Sequence, residues 1–161
     1  MNKIQTTYLI GSIQDLVDPN ASRENVDKKL TEAGFNVLNP CKLECNISLA
    51  PTIEDQKKKL YNLKLSGHWK EFDAVMDEII NTDLRCVIQA DFLVVFWDTS
   101  KRHGGTIEEI LVGISQSKPI YVISSNPISE FNDWLLRRLR KANAKFFKTD
   151  KQFLDFVLEN A

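Results

Sequence analysis

Five short apolar runs, set apart by stretches of helical periodicity, constrain the fold of this chain more than any other feature in it. Thr7 to Ile10, Phe35 to Leu38, Phe92 to Trp97, Ile120 to Ile123 and Lys145 to Phe147 read as strands. Each of the first four leads into a turn signal or a helix start. Between them apolar residues recur at helical spacing. Val26, Leu30 and Ala33 follow the first run, Phe72 through Ile88 precede the third, Ile107, Ile110, Leu111 and Ile114 follow it, and Leu135 and Leu139 follow the fourth. Strands this apolar must be covered on both faces, and strands that alternate with helices are joined by crossovers. The pattern predicts a doubly wound α/β domain: a five-stranded parallel sheet with helices on both faces, flavodoxin-like or Rossmann-like.

At 161 residues the chain is read as one domain spanning 1–161. The stretch 41–68 is long for a connection, and reads either as a lid or interface element or as a plain solvated excursion. Lys plus Arg number 21 against 22 Asp plus Glu, so no global field draws the chain to nucleic acid or to acidic membranes. A small-molecule partner is expected, with Arg137, Arg138, Arg140 and Lys141 as a solvated helix face. The longest purely apolar stretch, Phe92 to Trp97, has six residues, where a membrane span needs roughly 20. Met1 to Thr7 carry no secretory pattern, and Cys41, Cys45 and Cys86 lack metal-finger spacing; a cytoplasmic protein with reduced thiols is expected.

Three places stand out as chemistry. On a helix from about Trp69 to Ala90, Asp83 falls among Phe72, Met76, Ile79, Ile80 and Val87, in the middle of the apolar face. A carboxylate there is costly unless paired or hydrogen-bonded. Either it has a chemical task, or the helix breaks at Asn81 and Thr82 and Asp83 caps a new turn. The second place runs from Asp98 to Glu109, where Gly104 and Gly105 allow close backbone approach and a helix N-terminus suits an anionic or hydroxyl-rich ligand. Glu108 and Glu109 either act on that ligand or complement the helix dipole. Periodicity does not choose between them, but it puts Glu109 opposite Ile107, Ile110, Leu111 and Ile114, outside the core. The third is Tyr8 to Ile13, where Gly11 and Ser12 leave room beside a strand end. Neither G-x-G-x-x-G nor a P-loop occurs, which disfavours redox cofactors and P-loop triphosphate chemistry. Trp69 and Trp97 read as core residues, with stacking on a base as the other reading.

Tyr8-Leu-Ile-Gly-Ser-Ile13, Asp83-Leu84 with Ala90-Asp91-Phe-Leu-Val-Val95, Gly105-Thr106-Ile-Glu-Glu109-Ile110 and Lys118-Pro-Ile-Tyr-Val-Ile123 occur in that order. Together they resemble the nucleoside 2-deoxyribosyltransferase family, which includes the similar deoxynucleoside 5′-monophosphate N-glycosidases. The resemblance implies that Glu109 is the nucleophile at the sugar C1′, that Asp83 handles the proton of the departing base, and that Tyr8 holds the nucleophile by a hydrogen bond. It implies further that Gly11, Ser12, Asp98, His103, Gly105 and Thr106 meet substrate. The segment Ser124 to Asn132, with Asn132 as its substrate residue, would come from a neighbouring copy in a homodimer or larger homo-oligomer. The implied partners are a nucleoside or nucleotide and a free nucleobase, with no metal or organic cofactor. The chain departs from monophosphate-specific relatives at Gln14, where they carry arginine. Lys101, Arg102 and His103 crowd the glycine loop and either supply phosphate-binding charge or are solvated.

The chemistry so implied uses two carboxylates in different environments. An ionised Glu109 beside C1′ stabilises an oxocarbenium-like sugar and traps it as an ester. Asp83, kept protonated by its apolar setting, delivers a proton to the base. Water or a second base then accepts the sugar. The competing expectation on the same fold is a module that binds nucleotides without turning them over.

Overall fold

The period-2 alternation of a strand sends neighbouring side chains to opposite faces, and each strand of this sheet uses both. In the computed structural model, which describes residues 4–13, 16–42 and 52–160, five strands line up: β1 (Thr6–Gly11), β2 (Asn36–Leu38), β3 (Phe92–Phe96), β4 (Ile120–Ile123) and β5 (Lys145–Phe147). All pair in parallel, in the order β2-β1-β3-β4-β5, with Tyr8 opposite Leu93 and Leu93 opposite Ile120. This is the doubly wound order of flavodoxin-like α/β proteins. The strand boundaries expected from sequence hold to within about one residue.

Among the described residues six α-helices intervene: α1 (Ala21–Glu32), α2 (Ile53–Leu65), α3 (Trp69–Gln89), α4 (Gly104–Ser115), α5 (Asp133–Lys141) and α6 (Asp150–Glu159). Thr52 and Thr149 start α2 and α6 by accepting the Asp55 and Gln152 N–H groups, and Asn132 starts α5. One core layer packs Tyr8, Ile10, Leu93 and Val95 against Cys86 and Val87 of α3, Ile110 of α4 and Leu139 of α5. The other packs Leu9, Val94 and Ile123 against Val26 and Leu30 of α1 and Phe153 of α6. Lys118 ties the two halves of the crossover together, donating to the carbonyls of Ile88 (2.9 Å) and Ala90 (2.6 Å) where α3 ends.

The helices bear on three of the sequence readings. The helix through Asn81 and Thr82 is unbroken, so Asp83 caps nothing. Within 41–68, α2 is a regular helix; residues 43–51, including Cys45, lie outside the described residues. On α4 the expected apolar face is rotated: Ile107 and Leu111 are exposed, whereas Thr106, Glu109, Ile110 and Gly113 are buried, so Glu109 lies inside after all. The cause is Gly113. A Cβ there would lie 2.2 Å from Leu93 Cδ1, so only glycine lets α4 settle on β3 along this stripe. Among the described residues no helix is long and apolar enough to cross a membrane.

Gly113→Ala is expected to lower the unfolding free energy by about 1–3 kcal/mol in urea denaturation, through overpacking against Leu93. Gly104→Ala, whose added Cβ meets nothing within 4 Å, is the control, expected to change it by less than about 0.5 kcal/mol.

Candidate active site

Strand order reverses between β1 and β3, and in such sheets the crossovers diverge there and leave a crevice at the carboxyl ends of the strands. A cleft of about 510 Å³ occupies that place, on the α3/α4 side. Its floor is the end of β1, from Tyr8 to Ser12. The glycine start of α4 forms one wall, and α2 and α3 the other, with Leu60, Phe72, Met76 and Ile79 giving that wall an apolar surface. The apolar stripe of α3 therefore divides its work: Val75, Cys86 and Val87 are buried in packing, while Phe72, Met76, Ile79 and Asp83 face the cleft.

At the bottom Tyr8, fully buried, donates its hydroxyl proton to Glu109 Oε1 at 2.8 Å, across 101 residues of sequence. Asp83, half-buried, comes close enough for the same hydroxyl to hold its pKa down, yet its Oδ1 is sealed from solvent with no partner. A phenol has one proton, and the geometry gives it to Glu109. Burial pushes Asp83 up to about 6. Burial first, and then the Asp83 charge, push Glu109 up to about 8. The two interact closely enough to titrate as a coupled pair rather than independently. Glu109 is the more deeply buried of the two.

Arg23 is the residue sequence reasoning missed. It is 0% exposed, its Nε reaches the Leu9 carbonyl and its Nη1 the Pro19 carbonyl, and its charge pulls both acidic pKa values down. The signal was present: positions 23, 26, 27 and 30 share one stripe of α1, so a cation there is as anomalous as Asp83 on α3.

Of the expected substrate residues, Gly11, Ser12, His103, Gly105 and Thr106 line this cleft together with Tyr8, Asp83 and Glu109. Ser12 Oγ donates to the Arg102 carbonyl (3.2 Å), stitching the β1 turn to the glycine loop. The His103 ring stacks on Trp97 at 3.9 Å and its Nε2 donates to the Asp98 carbonyl (2.6 Å), which leaves Nδ1 buried without a partner. A Cβ at Gly104 or Gly105 would meet nothing within 4 Å, so packing does not require glycine at either position. Asp98 is not brought there, and Asn132, expected from a neighbouring copy, starts α5 of its own chain. Asp98 lines an adjacent cavity, its Oδ1 accepting the Ser100 N–H and hydroxyl, and Asn132 Oδ1 accepts the Trp134 and Leu135 N–H groups at the start of α5. Trp97 is buried as read, whereas Trp69 is 57% exposed and not a core residue. Arg102 lines the cleft, Lys101 the adjacent cavity, and Gln14 lies outside the described residues. Among the described residues no three His, Cys, Asp or Glu gather as metal ligands.

No family model and no curated protein sequence matches the chain. Among solved structures it is similar to that of a conserved protein from Enterococcus faecalis V583. The TM-score is 0.66 at 14% identity, over 99% of this chain and 100% of that one, a likeness of fold.

The raised Glu109 pKa makes stability pH-dependent with a definite sign. Between its ordinary 4.5 and about 8 the folded state binds more protons than the unfolded one. Stability is therefore full below that window and is lost as pH rises through it. Urea denaturation at pH 5 and pH 8 should show a fall of roughly 3 kcal/mol that Glu109→Gln removes. An identical pH slope in the variant would contradict it.

Proposed function

We propose that the protein cleaves the N-glycosidic bond of a deoxynucleoside or its 5′-monophosphate through a glycosyl ester on Glu109, passing the sugar to water or to a second base. The observation that carries this reading is the Tyr8–Glu109 hydrogen bond in a cleft that also holds the unpartnered Oδ1 of Asp83. The resemblance of the same three residues to the deoxyribosyltransferase pattern supports it independently of geometry.

The base lies along the apolar α2/α3 wall and the sugar over the end of β1. As the C1′–N bond lengthens, positive charge develops at C1′. That charge favours ionised Glu109 and lowers its pKa, and the pair's single proton passes to Asp83. Asp83 delivers it to the base nitrogen, the bonding electrons leave with the base, and a Glu109 oxygen bonds to C1′. Water or another base then attacks C1′ and loses its proton to Asp83, and Glu109 departs as the carboxylate. Tyr8 fixes the nucleophile's orientation throughout. The reading includes a homo-oligomer in which the Ser124 to Asn132 segment completes a neighbour's sugar pocket. Ile88, Ile107 and Leu111, exposed on α3 and α4, are apolar surface of the kind such contacts use.

Incubation with a panel of nucleosides and monophosphates, read by chromatography for free base, tests the reading. Glu109→Gln is expected to slow base release by about ten-thousandfold, and Tyr8→Phe by about tenfold to a hundredfold, the loss of one charge-assisted hydrogen bond. Because the pair must hold one proton, kcat/KM should be bell-shaped, with limbs near about 6 and about 8. Tight binding without base release would instead mark a non-catalytic nucleotide module, and activity surviving Glu109→Gln but lost in Glu108→Gln would reassign the nucleophile.

A further inference from the structure

A second cavity, about 400 Å³, opens at the same edge of the sheet but on the α1/α6 side. It shares only Ser12 and His103 with the cleft. By strand alternation Gly11 faces this side with Leu9, and a Cβ on Gly11 would lie 2.9 Å from Arg23 Nη2 and 3.3 Å from Phe96 Cβ. Arg23 and Phe96 thus form the floor. The Arg23 guanidinium is wholly buried, yet its Nη2 has no hydrogen-bond acceptor and no carboxylate among the described residues pairs with it. A buried cation with an idle donor is costly unless an anion answers it.

The walls supply donors of the same kind. Ser124 Oγ accepts the Asn126 N–H and Thr149 Oγ1 the Gln152 N–H, so each hydroxyl hydrogen is left to donate elsewhere. Ser22 sits in the first turn of α1, and Thr149 and Asp150 begin α6, so two helices of 12 and 10 residues bring their positive ends to the cavity. Lys101 and Lys148 stand at its sides. Its two carboxylates have donors already: Asp98 has Ser100, and Asp150 has Asn25. Among the described lining residues three cations face two carboxylates.

We propose that this second cavity binds a phosphate-class anion, either inorganic phosphate or the phosphoryl group of a small ester, seated over Arg23 between the starts of α1 and α6. A tetrahedral oxyanion matches donors arriving from a planar guanidinium, hydroxyls and an ammonium on different sides. The volume admits a phosphorylated small molecule and not only the bare ion. The site stands on its own residues and does not depend on the glycosidase reading of the cleft.

Isothermal titration of the intact chain with inorganic phosphate and with a nucleoside 5′-monophosphate tests it. Phosphate is expected to bind, with its dissociation constant raised about tenfold or more by Lys148→Glu and by Ser124→Ala, and unchanged by Arg102→Ala, which alters the neighbouring cleft. Arg23→Met should abolish binding; where that variant does not fold, Lys148→Glu and Ser124→Ala decide. A monophosphate that binds more tightly than phosphate, with the same sensitivity to Lys148→Glu, identifies an ester as the source, and equal affinity identifies free phosphate. Absence of phosphate binding by the wild type, or binding lost in Arg102→Ala and kept in Lys148→Glu, overturns the proposal. Neither result bears on base release.

Discussion

A single hydrogen bond, from Tyr8 on the first strand to Glu109 on a helix 101 residues later, is the constraint around which the acidic site is arranged. It forms in a nearly dry interior, where a carboxyl group without a donor would be costly. To bring the partners together, α4 must lie close on the sheet, and Gly113 against Leu93 allows that approach. Burial raises both acids, while the Tyr8 hydroxyl and, after it, the Arg23 charge oppose the rise. The result is a coupled pair of acids, both raised above their ordinary values.

Both cavities follow from the topology. Where strand order reverses, successive crossovers leave by opposite faces, so the carboxyl edge of β1 and β3 opens to the α3/α4 side and to the α1/α6 side. Ser12 and His103 stand on the crest between them. His103 is fixed from two directions, by its stack on Trp97 and by its bond to the Asp98 carbonyl, and Trp97 is itself stacked on Phe131 at 5.8 Å.

Particular residues show how far a linear reading reaches. The five strands were legible because each is apolar on both faces, which is visible without any partner. Asp83 was legible because a charge in an apolar helical stripe violates a local pattern, and Arg23 on α1 could have been found by the same rule. The face of α4 was misread because counting apolar residues favours Ile107 and Leu111, while burial was decided by the absence of a side chain at Gly113. Helical position likewise says nothing about which carboxyl lies deeper, and Glu109 is the deeper of the two.

The sequence alone determined the alternation of strands and helices, the parallel sheet and the short set of polar residues out of place in apolar surroundings, because these depend on periodicity along the chain. Only the tertiary structure decided that Tyr8, Asp83 and Glu109 share one cleft, that Asp98 does not line it, and that Arg23 Nη2 lies without an acceptor beneath a second cavity. Proximity between residues some hundred positions apart, and the ionisation that proximity and burial impose, arise from packing and have no counterpart in local spacing.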